Sequence, residues 1–201
     1  MADTEQNHGN NELINLQNQI LQCRLCQDTF GFEPHPIVMG NQNAKIMQIS
    51  QAPSKRVHET GLPFNDSSGK RLRREWYGIP DKDFYNPDYF YIVSMAHCYP
   101  GKASGKGDRL PPRICSQKWL LKEMEIVDNE IYIIIGRIAS EFFFPGEKMS
   151  SIVFEDKQIN KKPAYVLPHP SPLNIKWFRD YPEFMNERIF RIRKEIQRIY
   201  K

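Results

Sequence analysis

Four cysteines are the residues of this chain best suited to binding a metal. Cys23 and Cys26 form a C-x2-C pair, whereas sixteen residues separate Cys98 from Cys115. In an intracellular chain, such pairs are more often metal ligands or redox pairs than structural disulfides. Thiolates suit both zinc and iron–sulfur clusters. The spacing therefore leaves both metals open, and four unrelated buried cysteines are the alternative.

Two loops that follow apolar runs carry the polar residues of a candidate active site. The run AKIMQI leads into SQAPSKRVHETGLPFND at 50–66, and the run AYVLP leads into HPSPLN. Strand-to-loop junctions of this kind hold the active sites of α/β proteins. The first loop has Gln51 where a hydrolytic enzyme is expected to carry a carboxylate. Nearby substitutes are His58, Glu59 and Asp66, although Glu59 and Asp66 are more typical of solvated loop residues.

The elements that must position these loops alternate between strand and helix patterns. Apolar runs predict four strands, at 44–50, 89–95, 130–136 and 164–168. Helices are predicted at 11–22, 69–77, 115–127, 137–144 and 182–200. The last helix carries a core-facing stripe: Phe184, Ile189, Ile192, Ile196 and Ile199. This alternation predicts a three-layer α/β/α sandwich with a central, mostly parallel, four-stranded sheet. We expect a disordered tail at 1–10 and a single domain at 11–201.

Composition predicts an ordinary soluble globular protein. The chain has 201 residues, of which 40% are hydrophobic and 26% are charged. No apolar stretch approaches the roughly 20 residues of a membrane helix. The polar, acidic N-terminus is not typical of a secretory signal. We therefore expect a cytoplasmic monomer that does not associate with membranes.

Positive charge is concentrated in a few segments. The formal net charge is only +4, but basic residues cluster at 69–74, 100–113 and 188–201. The basic residues that flank the first candidate loop are Lys55, Arg56, Lys70, Arg71 and Arg74. Those in the loop between the last two cysteines are Lys102, Lys106, Arg109 and Arg113. Such groups bind phosphates without sequence preference, and a solvated charged surface is the alternative. No G-x-G-x-x-G follows the first strand, which argues against a dinucleotide site.

Together these features resemble the uracil-DNA glycosylase superfamily over roughly residues 15–195, especially its iron–sulfur, thermophile-type (family 4-like) members. The four cysteines have a similar order and spacing. SQAPS, six residues and then GLPF are similar to that family's first motif, and LPHPSPLN is similar to its second. The resemblance implies the same α/β/α fold. It also implies a [4Fe–4S] cluster on the four cysteines, with zinc the less favoured metal.

The resemblance further implies hydrolytic release of uracil or another deaminated base from DNA, the first step of base-excision repair. Such an enzyme flips the base into a pocket and stabilises the charge that develops as the C–N bond breaks. His169 would stabilise the leaving base, Gln51 would position water or contact the sugar, and Phe64 would stack on the base. Ala52 and Pro53 would complete the base pocket. The implied DNA contacts are Lys55, Arg56, Lys70, Arg71, Arg74, Arg113, Ser171 and the wedge Leu173.

Three of these residues could instead have no part in catalysis or DNA binding. His169 could be a satisfied strand-end histidine, Phe64 a core aromatic residue, and Leu173 an incidental exposed leucine. Two departures from the family also bear on activity. Gln51 replaces the glutamate of the first motif, and Ser94 stands where the family has an asparagine that reads the uracil edge.

A hydroxyl offers a poorer match than an amide to the uracil edge, so the departure at Ser94 weakens a preference for uracil. Three interpretations follow from these departures. The first is a glycosylase for uracil or another deaminated base. The second is a nucleic-acid-binding protein that keeps the fold and lacks catalysis. The third is a zinc-bound structural protein.

Overall fold

The computed structural model describes the backbone of residues 2–200 and the side chains of residues 11–199. Within that range one five-stranded sheet contains β1 (Ile46–Ser50), β2 (Phe90–Ser94), β3 (Ile131–Ile135), β4 (Lys157–Ile159) and β5 (Lys162–Leu167). The spatial order is β2-β1-β3-β5-β4. All neighbouring pairs are parallel except β4 with β5. Helices cover both sides of the sheet, so the predicted α/β sandwich is confirmed.

The α-helices are α1 (Ala2–Leu21), α2 (Leu25–Phe30), α3 (Lys55–Thr60), α4 (Ser67–Lys70), α5 (Asp81–Phe84), α6 (Arg113–Cys115), α7 (Leu121–Ile126), α8 (Arg137–Phe143), α9 (Met149–Ile152), α10 (Ile175–Asp180) and α11 (Ile189–Tyr200). Three π-helical segments extend them: Arg71–Tyr77 continues α4, Ser116–Leu120 joins α6 to α7, and Phe184–Arg188 leads into α11. A 3-10 turn, Pro172–Asn174, precedes α10.

Two boundaries differ from those expected. The sheet has a fifth strand, β4, because a two-residue turn with positive φ at Asn160 (51°) and Lys161 (64°) folds a three-residue segment back against β5. A segment of three residues is too short to give a strand pattern in the sequence. The backbone of α1 begins at Ala2, ahead of residue 11. Disorder of residues 1–10 in solution stays a prediction, and residue 1 lies outside the described range.

The core lies where the helices cover the central strands. Every residue of β1 and of β3 is buried, as expected for parallel strands covered on both faces. The predicted stripe of the last helix faces this core: Phe184, Ile189, Ile192 and Ile196 are buried, and Ile199 packs against them. No helix among the described residues is both long enough and apolar enough to span a membrane.

The sheet topology determines where the candidate loops meet. Strands β1, β2 and β5 are parallel members of one sheet, so their carboxyl ends share an edge. Ser50 pairs with Ser94 at the ends of β1 and β2. The loop that carries Gln51 and the loop that carries His169 both leave from this edge, which brings the two predicted motifs together.

Candidate active site and cysteine pocket

A cleft of about 310 Å³ opens at the carboxyl-end edge of the sheet. All six residues predicted for catalysis or base binding line it: Gln51, Ala52, Pro53, Phe64, Ser94 and His169. Residues far apart in sequence therefore meet in one concave site, which is the usual form of a small-molecule or base pocket. Their individual roles stay predictions.

Two hydroxyl groups occupy the floor of the cleft where β1 and β2 end. The Ser50 and Ser94 hydroxyl oxygens lie 2.8 Å apart and share a hydrogen bond. The contact follows from the parallel register that pairs these two residues. Either hydroxyl can donate or accept, so the pair can adapt to more than one pattern on a base edge. The sequence singled out Ser94, and the structure adds Ser50 as its partner.

Phe64 is held in an unusual backbone conformation beside the cleft. Its φ of 55° is uncommon for a residue other than glycine. The Phe64 carbonyl accepts a hydrogen bond from the guanidinium of Arg73, which is only 6% exposed. A Cβ atom at Gly69 would lie 1.7 Å from the same carbonyl oxygen, so only glycine fits there. The Phe64 ring packs edge-on against Phe84, with ring centroids 6.2 Å apart.

Arg73 is a supporting residue that sequence analysis missed. Its Nε donates to Asp81 at 3.0 Å and its Nη1 to the Tyr85 hydroxyl at 3.2 Å. That hydroxyl in turn donates to the Pro63 carbonyl at 2.9 Å. In the sequence Arg73 is one member of the run GKRLRR, and nothing local separates a buried arginine from its exposed neighbours.

Asp66 places a carboxylate in the cleft that Gln51 also lines. It lines the cleft with Phe64 and His169, and its Oδ1 accepts a hydrogen bond from the Gly69 amide at 2.9 Å. Asp66 is thus half-buried in a cleft lining, which is less exposed than a fully solvated loop residue. As the N-cap of α4, its side chain turns back toward the chain, and the residue is half-buried.

The other two substitutes lie outside the cleft lining. Glu59 is exposed and pairs with Lys55 at 3.6 Å, as expected for a solvated residue on a helix. The His58 carbonyl contacts the imidazole of His35, and the two rings pack edge to face. Of the three candidate substitutes, Asp66 is the one in the cleft.

His169 stands at the mouth of the cleft as a neutral hydrogen-bond donor. Although part of the residue is exposed, desolvation by the surrounding protein lowers the pKa of His169 below the usual 6.5, and the nearby Asp66 carboxylate opposes this only in part. The Ser171 backbone amide donates to Nδ1 at 3.2 Å. Because that amide can only donate, Nδ1 accepts and the ring proton is assigned to Nε2. The imidazole therefore presents an N–H group without a net charge.

The four cysteines line a second, apolar pocket at the other side of loop 99–113. All four are free thiols. Burial, followed by the neighbouring Cys115, raises the pKa of Cys26 to about 11 and that of Cys98 to about 12. Two thiols with raised pKa values, in a pocket that all four cysteines line, indicate a site that needs a positive partner to hold thiolates.

Cysteine thiolates can bind either zinc or an iron–sulfur cluster. Among the described residues no group of three or more His, Cys, Asp or Glu side chains is close enough to hold a single metal ion. One zinc ion would require sulfur atoms roughly 3.8 Å apart, from Zn–S bonds of about 2.3 Å in a tetrahedron. A cluster is bound by thiolates at its separate corners and accepts a wider arrangement. The donor set of four thiols therefore fits an iron–sulfur cluster, and the preference for a cluster over zinc stays a prediction.

Comparison with known proteins agrees with this geometry. The family model described as the Uracil DNA glycosylase superfamily matches residues 37–193, more than half of the chain. The chain belongs to the uracil-DNA glycosylase superfamily. The resemblance inferred from the cysteines and the two motifs is thereby confirmed.

Three curated relatives of this superfamily member are named type-4 uracil-DNA glycosylases. Those of Archaeoglobus fulgidus, Thermotoga maritima and Saccharolobus solfataricus are each 24% identical to it, over 134, 141 and 143 residues. These regions cover 66%, 67% and 68% of the present chain and 63%, 67% and 62% of the relatives. The chain thus spans somewhat less than two thirds of the first relative.

Three of the basic residues predicted to contact DNA share a groove beside the cleft of this superfamily member. Arg56, Lys70 and Arg74 line it, and Asp66 belongs to both the groove and the cleft. Arg71 lies elsewhere: its guanidinium sits 4.4 Å from the Phe178 ring centroid and pairs with Glu75 at 3.4 Å. The DNA contact of Arg71 stays a prediction, and its side chain packs toward α10 without lining this groove.

Loop 99–113 connects the cysteine pocket with the cleft, and it contributes an acidic residue that the sequence did not single out. Asp108 and Arg109 line the cleft. Asp108 pairs with Lys102 at 2.7 Å and accepts from the Tyr99 hydroxyl at 3.0 Å. Arg109 also donates to the Phe30 carbonyl at 3.0 Å, which ties the loop to α2. Lys106 and Arg113 are exposed on the same loop.

Leu173 is unusually exposed for a leucine. It lies on the 3-10 turn after His169, and 94% of it faces solvent. The Ser171 hydroxyl accepts a hydrogen bond from the Leu173 amide at 3.2 Å and shapes this turn. An apolar side chain projecting beside a base cleft has the shape of a wedge that enters a duplex, and this role stays a prediction.

Proposed function

We propose that this superfamily member is a DNA N-glycosylase that hydrolyses the glycosidic bond of uracil or another deaminated base. The observation that carries the proposal is the meeting of neutral His169, the Asp66 carboxylate and the Phe64 ring in one cleft. Membership of the superfamily and the names of the relatives support it. Base-excision repair is the process that such an activity begins.

His169 acts on the departing base. The flipped base stacks on Phe64 and meets the hydroxyl pair of Ser50 and Ser94 with its polar edge. As the C–N bond breaks, negative charge grows on the base, and the Nε2–H group of His169 donates a hydrogen bond to it. This hydrogen bond becomes stronger as negative charge grows on the base. The donor therefore stabilises the transition state more than the bound substrate, which is what catalysis requires.

Asp66 and Gln51 act at the sugar end of the bond. The sugar becomes cation-like as the base departs, and the Asp66 carboxylate supplies the opposite charge. The Gln51 amide orients the attacking water but cannot take its proton, which passes to the departed base anion as the new C–O bond forms. The acid of the first motif is in this way replaced by an acid fifteen residues later, at the N-cap of α4.

DNA binding is sequence-independent and uses the basic groove. Arg56, Lys70 and Arg74 contact phosphates beside the flipped nucleotide, and Leu173 fills the gap that the base leaves in the duplex. Lys55 and Arg113 are exposed and remain predicted backbone contacts. A cytoplasmic location and a monomeric state are part of the same proposal.

The cysteine pocket would hold a [4Fe–4S] cluster through Cys23, Cys26, Cys98 and Cys115. When bound, the cluster supplies a structural cross-link between chain segments and need not exchange electrons. The residues of the pocket exclude water, since its lining is apolar. Loop 99–113 is anchored at both ends by two of these cysteines and contributes Asp108 and Arg109 to the cleft.

A base-release assay tests the proposal. Labelled single- and double-stranded oligonucleotides with uracil, hypoxanthine or xanthine are incubated with the wild type and with the Asp66→Asn and Gln51→Glu variants. We expect cleavable abasic product from the wild type and a loss of about 10²–10³-fold in kcat for Asp66→Asn, similar to the removal of other charge-stabilising groups. Gln51→Glu restores the acid of the first motif and is expected to remain active.

A second candidate is a nucleic-acid-binding protein without catalysis, which the amide at Gln51 favours. Product from Gln51→Glu alone would mean that the wild type lacks a working acid, and it would remove Asp66 from the proposed role. DNA binding without product from any variant would replace the glycosylase with the binding protein. Full activity of Asp66→Asn would also contradict the role of Asp66.

A further inference from the structure

His97 lies between the two cavities of the molecule. It lines both the base cleft and the cysteine pocket, and it is only 2% exposed. Its backbone amide donates to Cys115 Sγ at 3.3 Å, and its Nδ1 lies 3.5 Å from the same sulfur. Its Nε2 lies 2.9 Å from Glu123 Oε2. The imidazole thus spans the wall between the cleft and the predicted cluster.

The acidic partner of His97 is itself anchored at both oxygens. Glu123, on α7, is fully buried, and its Oε1 accepts from the Tyr91 hydroxyl at 2.7 Å. Gln17 of α1 donates to the Gly40 carbonyl at 3.0 Å and lies 3.4 Å from the Tyr91 hydroxyl. A buried carboxylate persists only when it is hydrogen-bonded or paired. This network therefore fixes the side of the imidazole that faces away from Cys115.

The two ring nitrogens have different tasks. A cysteine that ligates iron carries no proton, so a group within reach of its sulfur must donate to it. The Nδ1 atom is the ring nitrogen within that reach, whereas Nε2 faces a carboxylate oxygen that only accepts. Hydrogen bonds from outside the ligand set orient cluster ligands and tune the cluster.

We propose that His97 is a positioning residue that holds Cys115 for the cluster through Nδ1 and closes the wall of the base cleft with the same ring. The inference rests on the cluster and cleft of the proposed function. It goes further because it assigns the connection between the cluster site and the cleft to the His97 side chain and to its partner, the buried Glu123 carboxylate. Loss of the bond to Cys115 then loosens the cluster and the cleft wall together.

Two substitutions of His97 test the roles of Nδ1 and Nε2 separately. In His97→Asn the side-chain amide lies where Nδ1 was, and in His97→Gln it lies where Nε2 was. Both proteins are purified anaerobically, and iron content, the visible and resonance Raman spectra of the cluster, and the rate of its removal by a chelator are measured. We expect His97→Asn to retain the wild-type spectrum. We expect His97→Gln to lose iron about tenfold faster, with altered Fe–S(Cys) frequencies.

Ser116→Ala is the matched control, since Ser116 is buried beside Cys115 but its hydroxyl donates to the Arg113 carbonyl at 3.0 Å. Both His97 variants are also made with Glu123→Gln, so that no buried charge is left without a partner. Wild-type iron retention in His97→Gln, or equal losses in His97→Asn and His97→Gln, would overturn the proposal. Zinc, or no metal, in the anaerobically purified wild type would overturn it too.

Base-release kinetics test whether His97 closes the wall of the cleft. His97→Gln is expected to raise KM several-fold and to change kcat less, because the wall moves while His169 and Asp66 stay in place. An unchanged KM in a variant that loses iron would show that His97 does not shape the wall of the cleft. If the wild type releases no base, the proposed function fails, and the spectra still decide the role of His97 at Cys115.

Discussion

At the scale of single residues, His169 and Asp66 line the same cleft, and the tasks proposed for them are complementary. Desolvation lowers the pKa of the partly exposed imidazole below 6.5, which favours its neutral form, and the carboxylate is positioned by the Gly69 amide. The histidine could be predicted because it begins a recognisable motif. The role of Asp66 could not, because an N-cap and a solvated loop aspartate look alike until the turn after Phe64 is folded.

The tautomer of His169 gives a residue-scale prediction. In His169→Gln the side-chain amide lies where Nε2 was, whereas His169→Ala has no donor. We expect kcat for base release to fall about 10²–10³-fold in the alanine variant, the usual loss when one transition-state donor is removed. The glutamine variant is expected to keep measurably more activity. Affinity for DNA containing an abasic site should stay near that of the wild type in both.

Single-turnover rates and a DNA-binding isotherm measure the two effects separately. Equal activity of His169→Gln and His169→Ala would argue against donation from Nε2. A parallel loss of DNA binding in both variants would instead assign His169 to binding.

At the scale of elements, hydrophobic pattern predicted four of the strands to within two residues and the buried stripe of the last helix. These features are local, since the spacing of apolar residues determines which face is buried. Two features that the hydrophobic pattern did not predict depend on contacts with distant parts of the fold. The strand β4 exists only against β5, and Arg73 is buried only because loop 61–66 and α5 close around it.

Arg73 therefore gives an element-scale prediction about how the loop holding Phe64 is supported. Arg73→Met leaves the half-buried Phe64 carbonyl and Tyr85 hydroxyl without their donor, at a cost of about 1 kcal/mol, the lower end of the range for unsatisfied groups. Thermal unfolding should show a lower Tm. Base release should show a raised KM, since the stacking ring is no longer fixed.

Arg191→Met is the control for stability. Arg191 is exposed and pairs with Asp156 at 3.1 Å, and an exposed pair contributes about 0–1 kcal/mol. Its Tm should stay close to that of the wild type. A Tm for Arg73→Met as high as that of Arg191→Met would show that the buried guanidinium does not support the loop.

At the scale of the whole molecule, both candidate sites are assembled from distant segments. The cleft takes residues from the ends of β1, β2 and β5, and the cysteine pocket takes residues from before β1 and after β2. The sequence predicted their members through motifs and cysteine spacing. It could not predict that His97 separates the two cavities, because that follows from how α7 packs beside β2 and delivers Glu123.

The distribution of charge over the whole molecule gives the last prediction. Each phosphate contact made by Arg56, Lys70 or Arg74 releases counterions from duplex DNA. Replacing one of them with glutamine should therefore reduce the slope of log K against log salt by about 0.9. Arg71→Gln is the matched control from the same basic run, because Arg71 packs on Phe178 away from the groove. Fluorescence anisotropy over a salt series measures all four slopes. If Arg71→Gln changed the slope as much as the other substitutions do, DNA would contact the basic residues of 69–74 in general. Lining the groove would then not determine which of them bind phosphate.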